Sequence, residues 1–159
     1  MEKLWAPWRK AYILNKSAKN CFICKIKTNS RRDHKNFVLR RTPHSLAVLN
    51  LYPYNNGHLM VVPKRHVKDL TFLNDSELLD LFRLVNTMSK LITKSMSPNG
   101  MNIGINLGKS AGAGLPGHVH VHLVPRWAGD SNFMPVIGKT KVISESLQSV
   151  HRRLRKNLR

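Results

Sequence analysis

"GHVHVHLVPRW", residues 117–127, sets His118, His120 and His122 at every second position with apolar residues between them. Side chains of an extended strand alternate between its two faces, so the histidines are predicted to share one face. Val119, Val121 and Leu123 share the other, and β-branched and aliphatic residues there suit a strand lying on a core. Neighbouring imidazoles on such a face stand roughly 6.5–7 Å apart, two residue rises, within reach of one ligand. Pro125, lacking a backbone donor, is expected to end the ladder. Packing alone gives no reason to line up imidazoles in this way.

The flanking sequence supplies partners for this strand. "MNIGINLG", residues 101–108, alternates again, with Asn102, Gly104 and Asn106 on one face, and the glycine-rich "GKSAGAGLPG", residues 108–117, joins it to the histidine strand. Upstream, "NFVLRR" and "HSLAVLN", separated by Thr42 and Pro43, read as a strand hairpin over residues 36–50. "YPYNNG" is turn chemistry, and "HLMVVPK" is a further strand stopped at Pro63. Asn74 followed by Glu77 makes a capping-box start, after which Leu78, Leu81, Phe82, Val85, Met88 and Ile92 recur at helical spacing. Residues 144–158 read as a basic amphipathic helix with Leu147, Val150, Leu154 and Leu158 on one stripe. Antiparallel-capable strands around one long helix predict an α+β domain.

At 159 residues the chain is expected to form one domain over 1–159. Residues 1–35 form a basic, irregular arm carrying "LWAPW" and "CFIC", residues 36–126 the sheet, long helix and histidines, and residues 127–159 a closing segment. No apolar run approaches the roughly 18 residues of a membrane span. "MEKLWAPWRK" lacks the apolar stretch of a secretory signal, so a cytoplasmic protein is expected. Lysine and arginine number 27 against 8 acidic residues, a formal charge of +19 that favours anionic partners: nucleotides, polyphosphates or RNA. RNA binding by the C-terminal helix is expected to be weak or absent, because basic residues at a helix C-terminus are already favoured by the dipole.

A histidine nucleophile needs an exposed imidazole, an orienting hydrogen bond on its other nitrogen, and donors around the group it attacks. Gly108, Gly112, Gly114 and Gly117 let backbone N–H groups approach an anion. The loop is not a P-loop, since Walker A requires glycine where Ile103 stands. Trp5, Trp8 and Trp127 could line a base or polyphosphate site, or serve as packing anchors. Cys21 and Cys24, a C-x-x-C pair, fit a zinc half-site, a redox pair or free thiols.

His118-Val119-His120-Val121-His122-Leu123-Val124 resembles the histidine-triad (HIT) signature, and "LNLYPYNNGHLMVVPKRH" resembles that family's upstream half. "LWAPWR" and "PRWAGDSNFMPVIG" resemble the bacterial branch that includes diadenosine tetraphosphate phosphorylases and hydrolases. The resemblance runs from Leu4 to Lys141. It implies a five-stranded antiparallel sheet with one long helix and a C-terminal helix, dimerising into a ten-stranded sheet. It also implies that His120 attacks the α-phosphate of a nucleotide to form a nucleotidyl-histidine, which water or phosphate then releases. His122 and Asn106 match positions that hold the scissile phosphate, His58 the histidine beside the triad, and Asn50 a ribose contact. The glycine loop departs from the pattern: Leu115 stands where several relatives carry Ser or Thr, which points to backbone groups of "AGAGLPG", Gly112 and Gly114 among them, in place of the hydroxyl.

Zinc-bearing relatives, galactose-1-phosphate uridylyltransferases among them, use two cysteines, the histidine of a segment like "PKRH" and the first triad histidine. The resemblance therefore implies a structural zinc on Cys21, Cys24, His66 and His118, stapling the arm to the catalytic strand. The expected substrate is a dinucleoside polyphosphate, with a nucleoside phosphoramidase as the alternative activity. The alternative outside catalysis is a basic protein whose three histidines bind a transition metal or a nucleotide without turnover.

Overall fold

Every residue of the strands Ser45–Leu49 and Leu59–Pro63 is buried, because these strands are covered on both faces. The computed structural model describes residues 21–138 and 140–158. In chain order its elements are α1 (Phe22–Lys27), β1 (Val38–Arg41), β2 (Ser45–Leu49), β3 (Leu59–Pro63), α2 (Asp75–Met96), β4 (Gly100–Ile105), β5 (Val121–Arg126), α3 (Phe133–Ile137) and α4 (Leu147–Lys156). The strands form one five-stranded sheet in the order β1-β2-β3-β5-β4, antiparallel throughout.

Strand alternation divides the core in two. Ala47 and Leu49 of β2, Leu59 and Val61 of β3, and Val121 and Leu123 of β5 face a large cluster. That cluster is completed by Leu81, Leu84, Val85, Met88, Leu91 and Ile92 of α2 and by Val150 and Leu154 of α4. Leu46, Val48, Met60 and Val62 point the other way and meet Cys21, at the start of α1, and Ile23 and Ile26 within it. The long helices thus cover one sheet face and α1 covers part of the other. Full burial of a Leu or Ile side chain contributes roughly 1.5–3 kcal/mol, so both layers matter to stability.

The capping box forms: the Asn74 side chain accepts from the Glu77 N–H at 2.9 Å, and Glu77 accepts from the Asn74 N–H at 3.0 Å. The same carboxylate receives Arg65 at 2.7 and 2.8 Å, which holds Glu77 down to about 2. Arg65 thereby ties the segment after β3 to the start of α2.

Several expectations change. The arm is not irregular in its described part, since residues 22–27 make a helix whose few buried residues are too short a run to show periodicity. The C-terminal helix starts at Leu147, capped by Ser146, rather than at Ser144. Phe82 is 46% exposed; the buried stripe of α2 runs instead through Leu84 and Leu91. Pro125 does not end the ladder but pairs with Met101 inside it. Its carbonyl, and with it the side of the missing donor, faces Asn55 Nδ2 at 3.0 Å, beyond the end of the β3 ladder, so no sheet bond is lost.

Candidate active site and metal centre

β5 begins at Val121, so His122 alone of the three histidines lies in the ladder; His118 and His120 precede it. A bond from the Val119 N–H to the Val67 carbonyl at 2.7 Å lays that approach against the segment after β3. The alternation nonetheless holds, since Val119, Val121 and Leu123 all enter the large core and the imidazoles face the other way. The His120 and His122 rings meet edge to face with centroids 4.7 Å apart, closer than bare strand spacing gives. His58 joins them from the start of β3, its centroid 5.1 Å from His122, because β3 and β5 pair with Met60 opposite His122.

The hydrogen-bond partners assign the tautomers. His120 Nδ1 lies 2.9 Å from the His118 carbonyl, which only accepts, so Nδ1 carries the proton and Nε2 keeps its lone pair. His58 Nδ1 receives the Tyr54 N–H at 3.0 Å, so its proton sits on Nε2 and is donated to His122 Nδ1 at 2.9 Å. His122 must then carry its own proton on Nε2. The pair presents opposite functions: a basic nitrogen on His120 and a donor on His122.

Burial keeps the cluster uncharged. It pushes His58 down to about 3, with repulsion from His122 and His120 adding to it, and His122 down to about 4, again helped by His120. Burial also lowers His120, opposed by its bond to the His118 carbonyl. A neutral imidazole at neutral pH retains the lone pair a nucleophile needs.

Beside this cluster, Cys21, Cys24, His66 and His118 bring one ligand atom each within 4.8 Å of the others. Cys21 Sγ stands 3.3 Å from His118 Nδ1, Cys24 Sγ 3.8 Å from the same atom, and Cys24 Sγ 3.3 Å from His66 Nδ1. A tetrahedral ion bound at about 2.0–2.3 Å needs edges of roughly 3.5 Å, so these spacings fit a metal ion. His118 is pre-oriented for it: its Nε2–H donates to the Pro63 carbonyl at 2.8 Å, which leaves the Nδ1 lone pair facing the thiols. Lys27 on the Lys64 carbonyl at 2.9 Å, and Arg41 on the carbonyls of Ile26 and Lys27 at 2.6 and 3.0 Å, fasten α1 over the quartet.

The other sequence candidates fall around this centre. The Asn50 side-chain oxygen accepts from the Tyr52 N–H at 2.9 Å, which turns its amide nitrogen toward the His58 ring, 3.3 Å from Nδ1 and 3.4 Å from Nε2. Asn106 begins the glycine loop, and among the described residues no hydrogen bond joins it to the histidines. Gly112 has φ +88°, and a Cβ there would stand 3.7 Å from the Asn106 amide nitrogen, so the loop folds back on Asn106. Gly114 lies exposed in the same loop. Trp127 packs against the large core with its indole N–H on the Met96 carbonyl at 3.3 Å, the arrangement of a packing anchor. Trp5 and Trp8 lie outside the described residues. Tyr54 went unread in the sequence: its ring lies 4.7 Å from His58 and 5.8 Å from His122, yet stays 56% exposed. Only its place in "YPYNNG", near His58, hinted at this.

The HIT domain model matches residues 31–129. The chain is 40% identical to an AP-4-A phosphorylase of Mycobacterium tuberculosis over 97% of its own length and 83% of that protein. A 45% identical match to an asymmetrical bis(5'-nucleosyl)-tetraphosphatase of Schizosaccharomyces pombe covers 58% of this chain and 50% of that one. Among solved structures, a zinc-bound histidine triad family protein from Mycobacterium smegmatis superimposes with a TM-score of 0.70 at 26% identity, covering 89% of this chain and 95% of that one. With the paired imidazoles on one sheet face and these matches, the chain belongs to the HIT domain family.

Proposed function

We propose that the protein is an enzyme that cleaves dinucleoside polyphosphates of the diadenosine tetraphosphate type, with His120 as nucleophile and phosphate as acceptor. The observation that carries this is the fixed tautomer of His120: the His118 carbonyl holds its Nδ1–H and leaves the lone pair on Nε2, in a ring that is buried, 5% exposed, where the sequence predicts an exposed one. In the first step His120 Nε2 bonds to the α-phosphorus while the bond from that phosphorus to its bridging oxygen breaks, releasing a nucleoside triphosphate. The His122 Nε2–H donates to the phosphoryl oxygens as their charge is redistributed. Phosphate oxygen then attacks the same phosphorus, the P–N bond breaks and a nucleoside diphosphate leaves, returning His120 to its starting state. Asn106 and the loop around Gly112 and Gly114 would supply further donors to the phosphate oxygens, and Asn50 a ribose contact.

Phosphate is preferred to water because the phosphorylase match extends over 97% of the chain, whereas the tetraphosphatase match covers 58%. The quartet of two thiols and two imidazoles suits zinc, which would serve as a structural staple between α1 and the histidine strand. Both cysteines are free, which suits a reducing cytoplasm. The protein would act as a homodimer joined through the sheets, with no more than weak affinity for nucleic acid. Among the described residues, no helix is long and apolar enough to cross a membrane. Incubation with diadenosine tetraphosphate tests the proposal. ATP and ADP formed only when phosphate is present are expected; ATP and AMP regardless of phosphate would overturn the acceptor, and no cleavage would overturn the activity.

A further inference from the structure

Asn55 is 7% exposed although it belongs to the turn between β2 and β3. A buried amide is costly unless its N–H groups find acceptors, and both of those on Asn55 do. The Asn55 Nδ2 donates to the Pro125 carbonyl at 3.0 Å and to Asp130 Oδ2 at 2.7 Å, while the backbone carbonyl of Asn55 accepts the His58 N–H at 3.1 Å. Asp130 is itself immobilised. Arg126 donates to both its oxygens at 2.7 and 2.8 Å, and the Trp127 N–H reaches Oδ2 at 3.1 Å. One side chain thus fastens the turn to the far end of the histidine strand.

The residue directly before Asn55 is Tyr54, whose N–H decides which nitrogen of His58 holds the proton. Asn50 cannot make that decision, because its amide nitrogen lies 3.3 Å from His58 Nδ1 and 3.4 Å from Nε2. Without the Tyr54 N–H, His58 could take either tautomer. In the form protonated on Nδ1 it would offer His122 a lone pair, so His122 would have to turn its own proton inward.

We infer that Asn55, held by Asp130, is a positioning residue: by fixing the Tyr54 N–H on His58 it sets the His122 tautomer that points a donor at the phosphate. The inference rests on the proposed role of His122 in phosphate chemistry. It adds a residue that touches neither substrate nor the reacting atoms, placed in the turn next to the catalytic cluster.

The test is nitrogen NMR of the histidine side chains in the full-length protein, in which Nδ1–H and Nε2–H tautomers have distinct shifts. In the unaltered protein at neutral pH, His58 and His122 should both be Nε2–H. In Asn55→Ala, and less completely in Asp130→Ala, His122 should show a mixture. Second-contact losses of this kind weaken activity by about 10–100-fold, so kcat should fall at least about tenfold while KM changes by less than about threefold. A purely structural role would lower thermal stability and leave the tautomers alone. An Nδ1–H His58 in the unaltered protein overturns the inference even if neither variant folds. An unchanged His122 tautomer in either folded variant also overturns it. The proposed reaction is judged separately, by whether His120→Ala still turns over, so the two can fail independently.

Discussion

His120 Nδ1 bonds to the backbone carbonyl of His118 at 2.9 Å, and His118 turns its own ring toward Cys21 at 3.3 Å. The group that orients the proposed nucleophile is therefore the backbone of a residue whose side chain belongs to the quartet that could hold a metal. The His118 ring is held by the Pro63 carbonyl, and the backbone around it by the bonds of the His118 N–H to Leu115 and of the Val119 N–H to Val67. A structural ion on His118, two residues from the proposed nucleophile, would steady this segment without touching substrate.

Cys21→Ser should therefore remove the metal and loosen both α1 and the approach to β5. Purified, chelator-free protein should hold about one zinc per chain, and the variant none. Loss of a structural site worth a few kcal/mol should lower the thermal midpoint by on the order of 10 °C in a domain of this size. Metal analysis finding none in the unaltered protein would remove the zinc proposal. Metal that survives Cys21→Ser but disappears in His120→Ala or His122→Ala would favour a three-histidine binding site instead.

His120→Ala should lower turnover by at least about a thousandfold, because the atom proposed to form the covalent bond is gone. Binding of the dinucleotide, read by calorimetry, should change little, since the His122 and loop donors remain. His120→Asn keeps polarity without the nucleophilic nitrogen and should be as inactive. Turnover within tenfold of the parent protein rejects the covalent role.

The depressed imidazoles also set a pH dependence of stability. His58 and His122 titrate at about 3 and about 4 when folded, against an ordinary value of 6.5. Below pH 6.5 the unfolded chain binds protons that the folded chain refuses, so stability falls as the pH drops from there toward 4. At about 1.4 kcal/mol per pH unit, each such group contributes up to roughly 2 kcal/mol of loss at pH 5. The thermal midpoint measured at pH 7, 6 and 5 should fall, and fall less steeply in His58→Asn. A midpoint that is flat or rises over that range contradicts the buried neutral cluster.

The alternation of residues 118–123 showed which side chains enter the core and which face away from it, although only Val121 onward joins the ladder, and the Asn74–Glu77 spacing carried the long helix. Contacts that depend on strand order were less visible. His58 meets His122 because Met60 pairs with His122 across β3 and β5, a register no local pattern contains. Tyr54 acts on His58 through a backbone N–H, which every residue but proline has, so its identity could not announce the contact. Asn55 and Asp130, distant in sequence, look like ordinary turn residues until β5 brings them together. α1 escaped detection because its buried positions, Ile23 and Ile26, are too few to define a period.

The charge of +19 could steer small anions toward the site or grip a long polyanion, and the two differ in how affinity responds to salt. α4 packs its Val150 and Leu154 into the large core, on the sheet face opposite the histidines. Arg152, Arg155 and Lys156 on that helix are exposed, and Arg153 pairs with Glu145 at 2.8 Å. Exposed pairs of this kind contribute about 0–1 kcal/mol, so replacing Arg152, Arg153, Arg155 and Lys156 with glutamine should leave the fold intact. Dinucleotide cleavage should change less than about tenfold, because the helix lies behind the sheet from the reacting phosphate and acts on it only through a screened field. Affinity for the dinucleotide should fall gently with salt, as a few phosphate contacts require, whereas a protein gripping RNA loses roughly a thousandfold or more between low and physiological salt. A steep salt slope that disappears in the glutamine variant would reassign the helix to nucleic-acid binding. A collapse of cleavage with the fold intact would instead mean that the substrate reaches round the sheet to α4.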